Sequence, residues 1–381
     1  RSMATTQVQA SVMLPPDWDA ASALTELTRS GDLVSYEPTA LETLVDSPVF
    51  AGKHFRKLLL GEVGQAKVQL NMLADHEAAL LASTAQLMPH AKMVEEAQAL
   101  FGTPHFDHYE FLLALSDQFG RIGQEHHRSS ENGIGLEYFS AWDQQQIERS
   151  QLPHEFVHSW CGKFRRPAGH MVGNFNTPLQ NELLWVYEGQ TQFWGQVLAA
   201  RSGLWSQPFT RESIAYIAAT FELNRPGRES RNLQDTVYQP ILTPRRPLSW
   251  TSYQRTEDFY NEGLLIWLEI DAQLRELSND ARGMDDFARA FFGPQAVEMG
   301  FGYTINAGTD WNVPVNDKFN FVGRADLRVT GPTWFHSVQS QVKPTIFSAL
   351  LPISALALPG FVGNADRRRL KEITSSPGGQ R

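Results

Sequence analysis

The sequence predicts an α+β chain: a partial N-terminal β unit, then a mainly helical unit, then a β-rich segment. Three observations carry this. Up to about residue 75, alternating stretches such as QVQASVML, KHFRKLLLG and AKVQLNML are separated by breakers such as LPPDW, the pattern of short strands and turns. A helical stretch at 75–102 follows, and from about 143 to 293 the pattern is mainly helical. After Gly293, FGYTINAGTDWNVP, KFNFVGRADLRVTG and TWFHSVQ alternate apolar and polar residues with Gly, Asn and Pro at the breaks. The expected units are therefore residues 1–75, 76–293 and 294–366, followed by a polar, disordered tail, 367–381.

Element by element, DHEAALLASTAQLMPHAKMVEEAQALFG reads as helix with an interruption expected at Pro89, whose ring and missing N–H disfavour a helix interior. HYEFLLALS and GIGLEYFS read as strands. NELLWVYEGQTQFWGQVLAARSG and YNEGLLIWLEIDAQLREL are the strongest helices, with Gly203 placed as a C-terminal cap. No internal repeat is present.

Bulk composition narrows the classes. The chain has 381 residues, 42% of them hydrophobic, enough for two or three packed units. A formal net charge of −9 argues against nucleic acid, whose phosphates need a basic face. The single cysteine, Cys161, excludes an internal disulfide and a cysteine-based zinc cluster, and is compatible with bacterial cytoplasm or periplasm. No apolar run reaches the roughly 18 residues of a membrane-spanning helix, and the first residues lack the apolar core of a signal peptide.

The chemistry concentrates in LPHEFVHSW, residues 152–160. On a helix, His154 and His158 lie on one face and can share one ion, with Glu155 beside them as a general base for a zinc-activated water. Ser150 is a candidate N-cap and Pro153 falls in the first turn. A catalytic zinc needs a third protein ligand and an open position. Glu188 is the best candidate, because a carboxylate inside the apolar LLWVYEG needs a cation to offset its burial. Cys161 reads as a buried apolar filler, and Arg165 and Arg166 as a solvated turn.

HEFVHSWCGKFRRPA followed by ELLWVYEGQTQFW resembles the glycyl aminopeptidase family of zinc peptidases, M61, a gluzincin family. LVDSPVFAGKHF (44–55), GQEHHRSSENG (123–133), RRPLSW (245–250), YNEGLLIWLEIDAQLRE and DDFARAFFG extend the likeness over residues 8–293. The resemblance implies a thermolysin-like, mainly helical catalytic domain. It implies His154, His158 and Glu188 as ligands of Zn2+, Glu155 as general base, and Glu125 as the carboxylate that holds the substrate's free α-amine. Tyr260 matches the tyrosine that donates to the oxyanion, with Tyr253 a weaker second candidate, and His126 and His127 read as structural. The implied substrates are peptides with a free N-terminus and a small first residue, glycine or alanine.

Relative to that family the front of the β unit reads as truncated, and no PDZ-like segment follows. Residues 294–365 resemble instead a strand fragment of a TonB-dependent outer-membrane receptor barrel, as if two fragments were fused near Gly293. The residues thus support an active zinc aminopeptidase. A fused, truncated remnant that binds zinc or peptide without turnover is the alternative, and a receptor fragment ranks third because the strands are too few to close a barrel.

Overall fold

The computed structural model describes residues 3–174, 176–238, 250–293 and 301–303. The expected receptor-like segment lies outside these residues apart from 301–303, as do the tail 367–381 and RRPLS of the RRPLSW motif.

The first 52 residues form small antiparallel sheets. β1 (Gln7–Val8) pairs with β6 (Thr39–Ala40). β5 (Leu33–Tyr36) lies between β2 (Ser11–Met13) and β4 (Glu26–Ser30). β3 (Asp19–Ser22) pairs with β7 (Val49–Gly52). Leu14, Leu24, Val34 and Tyr36 make a small core of their own. A short helix, α1 (Leu41–Val45), leads to Asp46 at its C-terminal end.

The principal sheet has five strands in the order β11–β12–β10–β9–β8. These are β8 (His54–Val63), β9 (Ala66–Ala74), β10 (His108–Leu115), β11 (Ile122–Glu125) and β12 (Ser129–Ile134). β9, β10 and β12 run parallel, while β8 and β11 are antiparallel edges. The strands on either side of residue 75 therefore share one sheet. β10 is buried from Tyr109 to Leu115, as a central parallel strand should be when both faces are covered. Its one charge, Glu110, accepts hydrogen bonds from Asn71 Nδ2 at 2.6 Å and Gln69 Nε2 at 3.0 Å.

The helices pack on this sheet. α2 (Thr84–Phe101) covers β8, and α3 (Gln151–Val157) leans on β11 and β12. α4 (Leu184–Ser202) packs against α2 and α3. Then come α5 (Gln207–Leu223), α6 (Leu233–Thr236), α7 (Thr251–Gln254), α8 (Asp258–Ser278) and α9 (Met284–Phe292). α8 lies along α4, and α9 closes against α2. One core joins them, with Phe101, Phe156, Trp160, Trp194, Trp267 and Phe291 among its largest buried side chains. Gly203 caps α4 with φ +82°, as its position suggested. β13 (Arg165–Pro167) pairs in parallel with β14 (Phe301–Tyr303).

Four local expectations are corrected. α2 runs unbroken through Pro89: Ser83 and Gln86 form a reciprocal capping box, and the buried stripe from His90 to Phe101 offsets the one missing hydrogen bond. GIGLEYFS is not a strand beyond Ile134. Residues 136–140 turn instead, so that Phe139 stacks on Trp142 and Tyr138 meets it edge-on, around buried His90. Ser150 does not cap α3: it has helical φ and ψ, and its hydroxyl donates to Ile147 O at 2.9 Å, because a 3-10 turn runs straight into the helix. Arg165 is not in a solvated turn. It is 3% exposed, donates to Phe291 O at 2.6 Å and lies over the Phe291 ring.

Candidate metal centre

α3 is only seven residues long, but His158 just beyond it keeps helical φ and ψ (−60°, −21°), so His154 and His158 stay on one face. α4 brings Glu188 against that face. Nε2 of His154 and Nε2 of His158 each lie 3.4 Å from Glu188 Oε2. The ligating atoms of all three residues fall within 4.8 Å of one another.

The cluster fits a zinc ion on three observations. Glu188 Oε2 is buried and faces the two imidazole Nε2 atoms without a well-aligned hydrogen bond from either, an arrangement that a cation between the three groups would complete. The 3.4 Å separations are those of neighbouring corners of a tetrahedron with bonds of about 2.0–2.1 Å. Finally, His158 Nδ1 lies 2.9 Å from Cys161 O. A donor at Nδ1 there makes Nε2 the nitrogen that the ring can offer to a metal beside Glu188. Two imidazoles and one carboxylate are the donor set of a catalytic zinc with one position left for water.

The electrostatics agree. Burial alone would lower the His158 pKa, but the carboxylates of Glu125 and Glu188 outweigh it and lift the group to about 9. Burial would raise Glu188, yet the two imidazoles hold it at about 2. Metal-free, the site thus stores its charge as a buried ion cluster that a divalent cation would replace.

Glu155 points to the same side without belonging to the triad. Burial pushes its carboxyl up to about 7, against the pull of His154 and His158 and with help from Glu125 and Glu188. Gly123 on β11 makes the space for it: a Cβ at 123 would lie 2.2 Å from Glu155 Oε1. Ligating atoms of Glu125, Glu155 and His158 also fall within 4.8 Å of one another. Glu125 ends edge strand β11 rather than sitting in a loop, and Tyr187 Oη donates to its Oε1 at 2.6 Å.

Tyr260, in the first turn of α8, is half-buried with its ring centroid 6.0 Å from that of His154. Tyr253 is 64% exposed on α7. His126 and His127 hold a turn. His126 bridges Asp46 and Glu131 at 3.1 and 3.0 Å, and His127 contacts His105 O at 2.6 Å. Cys161 is fully buried, with burial pushing its thiol up to about 12.

Two sets of residues around the site were not singled out from the sequence. Asp46 reaches across from the N-terminal unit: its carboxylate takes the His127 backbone N–H at 2.8 Å and pairs with Lys163 at 3.0 Å. These partners are 81 and 117 residues away, a separation that no local pattern reveals. Arg255 and Arg228 both pair with Glu262, and Arg255 also holds Asp258. Together they pin the start of α8, and so Tyr260. The crowding of charge in QRTEDFYNEG was the available hint.

A family model for the M61 glycyl aminopeptidase matches residues 148–266, and one for the peptidase M61 N-terminal domain matches residues 1–53. A crystal structure of an aminopeptidase N family protein from Idiomarina loihiensis has a TM-score of 0.61 and 20% identity, covering 75% of this chain and 49% of that one. An M1 zinc metallopeptidase from Deinococcus radiodurans aligns with a TM-score of 0.42 and 14% identity, covering 90% and 62%. The chain thus spans about half the length of the first of these structures. No curated protein matches it. Nothing in these comparisons supports the receptor-like reading of residues 294–365. Over residues 1–53 and 148–266 the chain is similar to the M61 glycyl aminopeptidases, and its fold is similar to that of an aminopeptidase N family protein.

Proposed function

We propose that the chain is a zinc-dependent aminopeptidase that removes one residue from peptides with a free N-terminus, small first residues such as glycine or alanine being preferred. One observation carries the reading: the Nε2 atoms of His154 and His158 converge at 3.4 Å on one buried, otherwise unsatisfied oxygen of Glu188. His154, His158 and Glu188 would hold the zinc. Once bound, zinc supplies Lewis-acid polarisation of the scissile carbonyl and lowers the pKa of a water.

The chain's own residues do the rest. Glu155, buried and with its pKa raised to about 7, takes a proton from the attacking water as the new C–O bond forms. It passes that proton to the amine as the C–N bond breaks. The Tyr260 hydroxyl donates to the oxyanion of the tetrahedral intermediate. Glu125 pairs with the α-ammonium and so selects the first peptide bond.

The test is hydrolysis of glycyl and alanyl amides beside their N-acetylated forms, with and without chelator. Cleavage restricted to free amines and abolished by the chelator supports the reading. Chelator-insensitive cleavage, or equal cleavage of acetylated substrates, rejects it.

A further inference from the structure

The Tyr187 phenol and the Glu125 carboxylate are joined across 62 residues by a 2.6 Å hydrogen bond. We propose that Tyr187 is a positioning residue for substrate recognition: its hydroxyl fixes the Glu125 carboxylate in the orientation that receives the substrate's ammonium. This rests on the reading of Glu125 given above.

The phenol is itself fixed. Tyr187 is 8% exposed, and its ring lies between those of His158 and His170, at centroid distances of 4.8 and 5.5 Å. Its backbone carbonyl accepts from Thr191 Oγ1 at 2.8 Å. Gly162 completes the cradle. It adopts φ +137°, and a Cβ there would lie 2.5 Å from the Tyr187 oxygen. A side chain at 162 would therefore push the hydroxyl off Glu125, as well as strain the backbone.

The chemistry of the donors matters as much as their placement. Glu125 Oε1 takes the phenol, and Oε2 takes Gln124 Nε2 at 3.1 Å. Both donors are neutral. Among the described residues no lysine, arginine or histidine forms an ion pair with Glu125. These two donors orient the carboxylate without neutralising it, and each oxygen keeps a lone pair for a cation; the nearby His158 imidazole, whose pKa Glu125 helps to raise, also draws on that charge. An arginine in place of Tyr187 would orient it equally well and cancel the charge that recognises the amine.

The experiment compares inhibition of the zinc-loaded chain by glycine hydroxamate and by acetohydroxamate. They share a metal-binding head and differ in the α-amine. The ratio of their inhibition constants measures amine recognition without turnover. In Tyr187→Phe, which keeps the ring between the two imidazoles, we expect that ratio to fall about tenfold toward the value for Glu125→Ala. Acetohydroxamate affinity and zinc content should stay within twofold of wild type. KM for glycyl amides should rise more than kcat falls. A ratio unchanged from wild type overturns the proposal, and so does a loss that hits both hydroxamates equally, the mark of a merely structural role. If wild type and Glu125→Ala show the same ratio, the reading of Glu125 itself fails, and the Tyr187 proposal with it.

Discussion

Gly189 and Gly263 face each other where α4 crosses α8: a Cβ on either would lie 2.7 Å from the other's Cα. The crossing brings Glu188, one residue before the first glycine, and Tyr260, three before the second, into one site. Gly263→Ala should force the helices apart at a cost of roughly 1–3 kcal/mol. The expected outcome is a lower thermal midpoint together with weaker zinc retention on dialysis. A variant that loses neither would show the contact to be slack.

Glu155→Gln keeps the size of the side chain and removes the base. Because Glu155 lies outside the triad that would hold zinc, turnover should fall by roughly 10²–10⁴-fold while zinc content is retained. Parallel loss of metal would move Glu155 into the ligand set. Parallel measurement of kcat and zinc stoichiometry separates the two.

The pH dependence of metal binding follows from His158. In the metal-free chain its pKa stands at about 9, raised by Glu125 and Glu188 in spite of burial, so below that pH a proton must leave before zinc enters. Affinity should therefore rise about tenfold per pH unit up to about pH 9. Zinc titrations from pH 6 to 8 in buffers of different ionisation enthalpy check this, with at least one proton released per ion.

His90 gives an independent check away from the site. Burial holds its pKa down at about 4, against an ordinary 6.5, while its ring contacts Gln86 O and Tyr138 Oη, both at 2.8 Å. The folded pKa is the lower one, so the unfolded chain binds the extra proton between pH 6.5 and 4. Stability is lost as pH falls through that window, by on the order of 3 kcal/mol. Urea unfolding at pH 7 and 4.5 should show this slope in the wild type and a weaker one in His90→Gln.

Asp46→Ala should release the turn at His126 and His127 that follows Glu125. It removes the partners of one backbone N–H, one imidazole and Lys163, and its cost should be roughly 1–3 kcal/mol. KM for glycyl amides should rise as the end of β11 loosens. Unchanged stability and KM would mean the N-terminal unit contributes nothing to the site.

What could be read from the sequence was what spacing encodes. Four residues separate His154 and His158, and an acid within an apolar helix marks Glu188, so the cluster could be named before its geometry was seen. The α+β class followed from periodicity in the same way. Packing was not legible. That Gly123 leaves room for the Glu155 carboxylate, or that Asp46 reaches Lys163, depends on strands and loops meeting across tens of residues. GIGLEYFS misled because its aromatics serve the pocket around His90 rather than a ladder, and Pro89 misled because a capped, buried helix tolerates one lost hydrogen bond.

In the proposed reaction His154, His158 and Glu188 hold one zinc. The most direct measurement is zinc content after dialysis against trace metal, for the wild type and for His158→Ala and Glu188→Ala. About one zinc per chain is expected in the wild type and none in either variant, with folding retained by circular dichroism. A wild type without zinc, or variants that keep it, would contradict the claim.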